Sequence, residues 1–381
     1  MTLKLSRRGQ IPAFIAMDVL REANRRAAEG DDIIHLELGQ PSTPAPKPVL
    51  EAARRALGRE TLGYTDAFGL PALREAIAAH YRDAYGLALD PARVVVTTGS
   101  SAGFILAFLA AFDPGDRIAL ASPAYPAYRN ILLALDLVPV ELPVGPETHF
   151  QPTPELLRAE GSRLEGLILA SPANPTGAML APEDLAKLAQ HCEAQGIRLV
   201  SDEIYHGIVY GRQAATAAAS RSAVIVNSFS KYHSMTGWRI GWMVVPLDML
   251  RAVECLTQNL YISPPSLSQH AALAAFSCRA ELDANVARYA ENRALLIDEL
   301  PKAGFKDFAP ADGAFYLYLD IAHLTNDSEE FCRRMLKEIG VAATPGTDFD
   351  QSRGRGTMRI CFAGATDEIA EAAQRLKSWK R

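Results

Sequence analysis

Ala223-Val-Ile-Val-Asn227 runs directly into Ser228-Phe229-Ser230-Lys231, and Thr236-Gly237-Trp238-Arg239 follows. The β-branched run reads as a strand. The loop after it brings together an amine, several hydroxyls and a guanidinium. The pattern repeats upstream. Arg93-Val-Val-Val-Thr97 leads into Thr98-Gly-Ser-Ser-Ala-Gly103 and the apolar helix pattern Ser100 to Phe112. Arg117 to Leu120 leads into Ser122-Pro-Ala-Tyr-Pro126, and Leu164 to Ala170 into Ser171-Pro-Ala-Asn-Pro-Thr-Gly177. Ile197 to Ser201 ends at Asp202-Glu203. Helical periodicity marks Leu70 to Tyr85 and Pro182 to Gln195 between these strands. The alternation predicts an α/β protein, with a mainly parallel sheet between helices. After Val286 the pattern changes. A helix is followed by Gly313-Ala-Phe-Tyr-Leu-Tyr-Leu-Asp320, a second helix over Glu329 to Ile339 and the strand Thr357 to Phe362. This predicts a smaller α+β domain. The expected division is a large domain over residues 45–290, and a small one built from 1–44 and 291–381.

The bulk properties narrow the function. A formal net charge of −5 provides no basic footprint for nucleic acid or an anionic membrane. The longest apolar run, Phe104 to Phe112, covers about half a membrane span. The five cysteines are scattered without a Cys-x-x-Cys pair, which fits a reducing compartment and predicts a cytoplasmic protein. His191-Cys192 has no further ligands nearby, so no metal site is expected.

Ligands of open α/β sheets bind beyond the carboxyl ends of the strands, where these polar clusters fall. Ser100, Ser101 and Ala102 open a helix whose free amides suit a phosphate. Tyr125 can stack on a planar ring. Asn174 can donate to a ring oxygen, with Tyr205 near Asp202. Asp202 can keep a pyridine nitrogen protonated. Lys231 can form a Schiff base, beside Ser228 and Arg239. Pyridoxal 5'-phosphate uses every one of these parts.

Taken in order, the segments are similar to those of the class I/II aminotransferases, aspartate aminotransferase-like enzymes of the fold-type I pyridoxal-phosphate superfamily. The matching stretches are Gly39-Gln-Pro41, Gly63-Tyr-Thr-Asp-Ala-Phe-Gly-Leu-Pro-Ala-Leu-Arg74, Thr98 to Gly103, Ala173 to Gly177, Ser201-Asp-Glu-Ile-Tyr205, Ser228 to Lys231, Thr236-Gly-Trp-Arg-Ile-Gly241 and Met358-Arg-Ile-Cys-Phe362. The resemblance implies transfer of an amino group from an amino acid to a 2-oxo acid by a ping-pong mechanism. Lys231 is then the Schiff-base residue and proton shuttle, and Asp202 the partner of the ring nitrogen. Asn174 and Tyr205 bind the phenolic oxygen, and Tyr125 stacks on the ring. Ser228, Arg239 and the amides near Ser100, Ser101 and Ala102 hold the phosphate. Tyr64 resembles the tyrosine that reaches the phosphate of the neighbouring subunit, which implies a homodimer with shared sites. Arg359 resembles the clamp on the substrate carboxylate, assisted by the backbone of Gly39. Ser101-Ala102-Gly103 is smaller than the family's usual phosphate loop.

Two other readings stand beside this one. A C–S β-lyase needs the same lysine and ring contacts. Gly99-Ser-Ser-Ala-Gly103 also matches the nucleophile elbow of a serine hydrolase, with Ser101 as nucleophile and Asp202 and His323 as partners. Phe14 and Ile15 are placed to cover the site and favour a small or neutral substrate side chain. His206 and His233 are read as neighbours of the site.

Overall fold

A computed structural model describes residues 3–380. A seven-stranded sheet forms the larger layer. Its order is Val94–Thr97, Gly241–Val244, Val224–Ser228, Arg198–Asp202, Gly166–Ala170, Arg117–Ser122 and Val138–Pro143. Only Gly241–Val244 runs antiparallel to its neighbours; every other pairing in the sheet is parallel. The strand ends at Thr97, Ser122, Ala170, Asp202 and Ser228 therefore share one edge of the sheet. The central strands are buried along most of their length, as expected where helices cover both faces. One core packs Leu73, Ile77 and Trp242 against one face, and another packs Phe104, Phe108 and Leu132 against the opposite face.

A four-stranded antiparallel sheet holds Thr344–Pro345, Thr357–Cys361, Tyr316–Asp320 and Asp307–Phe308 in that order. Its core includes Phe305, Leu317, Ile360 and Ile369 together with Ile34 and Leu36 from near the N-terminus. Ile34–His35 also pairs in parallel with Val341–Ala342, which ties the N-terminal segment to the C-terminal part. The expected division at 290/291 falls inside one continuous helix, Arg279–Lys302. Among the described residues no helix is long and apolar enough to cross a membrane.

Candidate active site

The shared strand edge opens into a cavity of about 660 Å³. Of the predicted site residues, Gly39, Ser100, Ser101, Tyr125, Asn174, Asp202, Tyr205, Lys231, Arg239 and Arg359 line it. Phe14, Ala16 and Met17 of the N-terminal segment close one side. Ile15, expected beside Phe14, is instead absent from the lining.

One end is positive. The helix Ser100–Ala111 begins at Gly99 without a side-chain cap, so its first amides are free. Gly99 has φ of 83°, and a Cβ there would lie 2.4 Å from Arg239 Nη2. The missing side chain lets the guanidinium rest against the helix start. Arg239 is held by Nη1 donating to the Thr236 carbonyl at 2.9 Å. Ser228 turns inward, where its Oγ meets Ser230 Oγ at 2.8 Å and donates to the Ile240 carbonyl at 3.1 Å. Ser230, rather than Ser228, lines the cavity, and Ala102 lies outside the lining.

The floor carries the acid. Asp202 ends its strand and is buried. The Ile204 amide donates to Oδ1 at 3.0 Å, and the Tyr128 hydroxyl donates to Oδ2. Burial raises Asp202 to about 6 despite these bonds. Glu203, directly behind it, is raised by burial to about 7. A carboxyl poised in this way is stabilised as an anion by a cationic ring nitrogen.

Lys231 Nζ donates to the Gly39 carbonyl at 2.6 Å. Burial, aided by Arg359 and Arg239 and opposed by Cys361 and Asp202, lowers the amine to about 8. Tyr125 contributes its ring, in edge contact with Phe14 at 5.6 Å and with Tyr128 at 5.3 Å between centroids. Tyr205 Oη lies 2.7 Å from Tyr316 Oη. Asn174 Oδ1 accepts from Arg359 Nη1 at 2.9 Å, which leaves Asn174 Nδ2 as the group that can donate. Arg359 is buried between two rings, 4.4 Å from the Tyr316 centroid and 4.7 Å from that of Phe349. Its Nη2 donates to the Glu37 carbonyl and Thr344 Oγ1, while Nε has no partner among the described residues.

Tyr64 stands apart, 82% exposed and outside the cavity. No histidine is among the cavity's lining residues. His323 bonds to the Gly304 carbonyl, and His206 is buried between Tyr85 Oη and the Ser171 carbonyl. No histidine therefore shares the cavity with Ser101, and the hydrolase reading loses its triad. His233 is buried against Phe229 and Phe276.

Sequence reasoning missed Tyr128, Tyr316 and Ser230. Tyr128 follows Tyr125 at helical spacing after Pro126, which begins a helix, so that signal was available. Tyr316 depended on cross-strand register, which the sequence alone does not supply.

The donor set fits pyridoxal phosphate: a buried amine between a cationic helix start and a buried acid, with hydroxyl and amide groups alongside. The fold and cavity together define an α/β enzyme built to hold a phosphorylated aldehyde cofactor. Comparison with known proteins agrees. The family model "Aminotransferase class I and II" matches residues 31–376. A valine–pyruvate aminotransferase of Mycobacterium tuberculosis is 52% identical, over 100% of this chain and 99% of the relative. The crystal structure of an aminotransferase from Mycobacterium tuberculosis superposes with a TM-score of 0.97 at 51% identity, covering 99% of each chain. Aspartate aminotransferase from Thermus thermophilus with maleate gives 0.92 at 32% identity, again covering 99% of each chain. The chain belongs to the class I and II aminotransferases, and it is a pyridoxal-phosphate-dependent transaminase.

Proposed function

We propose that this transaminase moves the amino group of a neutral aliphatic amino acid, valine among them, to a small 2-oxo acid such as pyruvate. One observation carries the reading. The cations lining the cavity are Lys231, Arg239 and Arg359. Arg239 sits at the helix start and Lys231 supplies the reactive amine, so Arg359 alone remains for a substrate carboxylate. The wall around the substrate end is apolar, with Phe14, Ala16, Met17, Leu38 and Ile131. An acidic substrate side chain would be desolvated there without a partner, which costs several kcal/mol. The 52% identical valine–pyruvate enzyme supports the same class.

The cofactor, when bound, supplies an electron-withdrawing ring that stabilises charge at the substrate α-carbon. The protein supplies placement and proton transfer. Arg239 and the amides at Ser100 to Ala102 anchor the phosphate, and Ser228 acts through Ser230 by ordering the loop. Asp202 holds the ring nitrogen's proton, with Tyr128 fixing the carboxylate. Tyr205 and Asn174 Nδ2 donate to the phenolic oxygen, and Tyr125 stacks on the ring. Arg359 orients the substrate carboxylate, aided by the Gly39 backbone. Lys231 Nζ, lowered by burial to about 8, would take the α-proton and pass it to the cofactor's aldehyde carbon, and would carry a proton back to the substrate carbon in the second half of the cycle.

We further propose a cytoplasmic homodimer that shares its sites. Five free cysteines fit a reducing compartment. Tyr64 is exposed and lies outside the lining of its own chain's cavity. The Thr65 amide donates to Ser263 Oγ, which sets the Tyr64 loop beside Leu260 and Ile262, 53% and 47% exposed. A patch of that kind suits burial against a second copy.

The substrate reading is tested with valine, alanine, leucine and aspartate as donors, each against pyruvate and 2-oxoglutarate. Keto acid is scored separately from ammonia. Valine with pyruvate is expected to lead. Aspartate as the best donor would overturn the neutral-substrate reading, and a cysteine conjugate added to the panel without acceptor would favour elimination if it released ammonia and pyruvate.

A further inference from the structure

Tyr316 occupies a position that none of the roles above uses. Its strand Tyr316–Asp320 pairs antiparallel with Thr357–Cys361, with Tyr318 opposite Arg359. Tyr316 is therefore a diagonal neighbour of Arg359 on one face, and its ring lies under the guanidinium at 4.4 Å. Its hydroxyl reaches past that contact to Tyr205 Oη at 2.7 Å. The same hydroxyl presses on Gly39, where a Cβ would lie 1.8 Å from it. The Gly39 carbonyl in turn accepts from Lys231 Nζ. One side chain thus touches the substrate clamp, the phenolic-oxygen donor and the backbone that receives the lysine.

We propose that Tyr316 is a positioning residue with separable parts: its ring fixes Arg359, and its hydroxyl donates to Tyr205 and so strengthens Tyr205 as a donor to the cofactor's phenolic oxygen. The inference rests on the Tyr205 assignment above. The physical basis is cooperative polarisation. An O–H that accepts a hydrogen bond becomes a better donor in turn, most of all in a buried site. A better donor stabilises negative charge on the phenolic oxygen and loosens the proton shared between that oxygen and the Lys231 nitrogen. The charged and titratable groups facing Tyr316 and Tyr205 are Arg359, Cys361, Tyr125 and Asp202, and all are retained in the test variants.

The experiment compares Tyr316→Phe, Tyr205→Phe, the double variant and Tyr316→Leu, each loaded with pyridoxal phosphate. The visible band of the bound cofactor is titrated with pH, and kcat and KM are measured with valine. Tyr316→Phe is expected to raise the band's midpoint by about half a pH unit, in the direction of Tyr205→Phe but less far. It should lower kcat about threefold to tenfold with KM unchanged. The double variant should match Tyr205→Phe alone, since the hydroxyl acts through Tyr205. Tyr316→Leu should raise KM as well, because Arg359 loses its ring. If Tyr205→Phe leaves the midpoint unmoved, the Tyr205 assignment fails and the inference with it. If Tyr205→Phe moves the midpoint and Tyr316→Phe does not, the inference alone is overturned. An additive double variant also overturns it.

Discussion

On the proposed reading, Lys231 concentrates the chemistry of the molecule in one nitrogen. A solvated lysine amine titrates near 10.5, and burial here brings it down to about 8. The cause is desolvation of the charged form, aided by Arg359 and Arg239. The reactive species is the neutral amine, so attack on the cofactor aldehyde by the apoenzyme should rise with pH and reach half its maximum near 8. Stopped-flow growth of the visible band measures this, and a midpoint near 10 would remove the burial argument. Lys231→Ala should lower transamination by roughly a thousandfold or more, since both attachment and proton transfer are lost. Arg359 makes a separate demand. Its planar fork is stacked between Tyr316 and Phe349, a geometry that a lysine ammonium does not reproduce. Arg359→Lys should raise KM for valine about tenfold to a hundredfold with a smaller change in kcat, as the loss of one charged hydrogen bond implies. Most of these residues were legible in the sequence because each sits in a short polar motif at a strand end. Tyr316 was not, because its part in the site comes from its alignment with Arg359 across two strands some forty residues apart in the chain.

The helix Ser100–Ala111 shows how an element prepares a site before any ligand arrives. Its first turn carries no acidic residue and no cap, so the positive end of the helix dipole faces the cavity with Arg239 beside it. Gly99 makes the arrangement possible twice over. Its φ of 83° and ψ of 168° lie where residues with a Cβ are strained by about 1–3 kcal/mol, and its missing Cβ leaves room for the guanidinium. Gly99→Ala should therefore displace Arg239 and weaken cofactor binding by about tenfold or more. Titration of the apoprotein with pyridoxal phosphate, followed by the visible band, checks it. Unchanged affinity would mean that Arg239 does not anchor the phosphate. The same scale explains which parts of the fold could be read in advance. Strands such as Arg117–Ser122 and Arg198–Asp202 announced themselves through an apolar run closed by a turn signal. Val138–Pro143 mixes two prolines and a glutamate at the edge of the sheet, where alternation is weak. Gly241–Val244 is buried on both faces, so its short apolar run had no periodicity that would separate strand from helix.

At the scale of the whole molecule, the question is whether one chain completes its own site. Of the proposed contacts, Ser228, Ala102 and Tyr64 lie outside the cavity's lining, and of these three only Tyr64 is exposed, at 82%. If Tyr64 reaches the phosphate of a second copy, each site draws on both chains, and mixed dimers give a sharp test. A Lys231→Ala subunit retains Tyr64, and a Tyr64→Ala subunit retains Lys231. In a dimer of the two, one site would lack both groups. The other would combine Lys231 of one chain with Tyr64 of its partner and would be fully wild type. Tyr64→Ala alone should bind the cofactor about tenfold more weakly, the loss expected for one hydrogen bond to a charged group. Mixing it with the inactive Lys231→Ala protein should then restore a population of sites with wild-type cofactor affinity and wild-type turnover, at up to one site per mixed dimer. If Tyr64 serves its own chain, every site with a working lysine still carries the alanine, and mixing restores nothing. Subunit exchange followed by titration at limiting cofactor separates the two outcomes, because only a shared site produces a tight-binding fraction that neither parent contains.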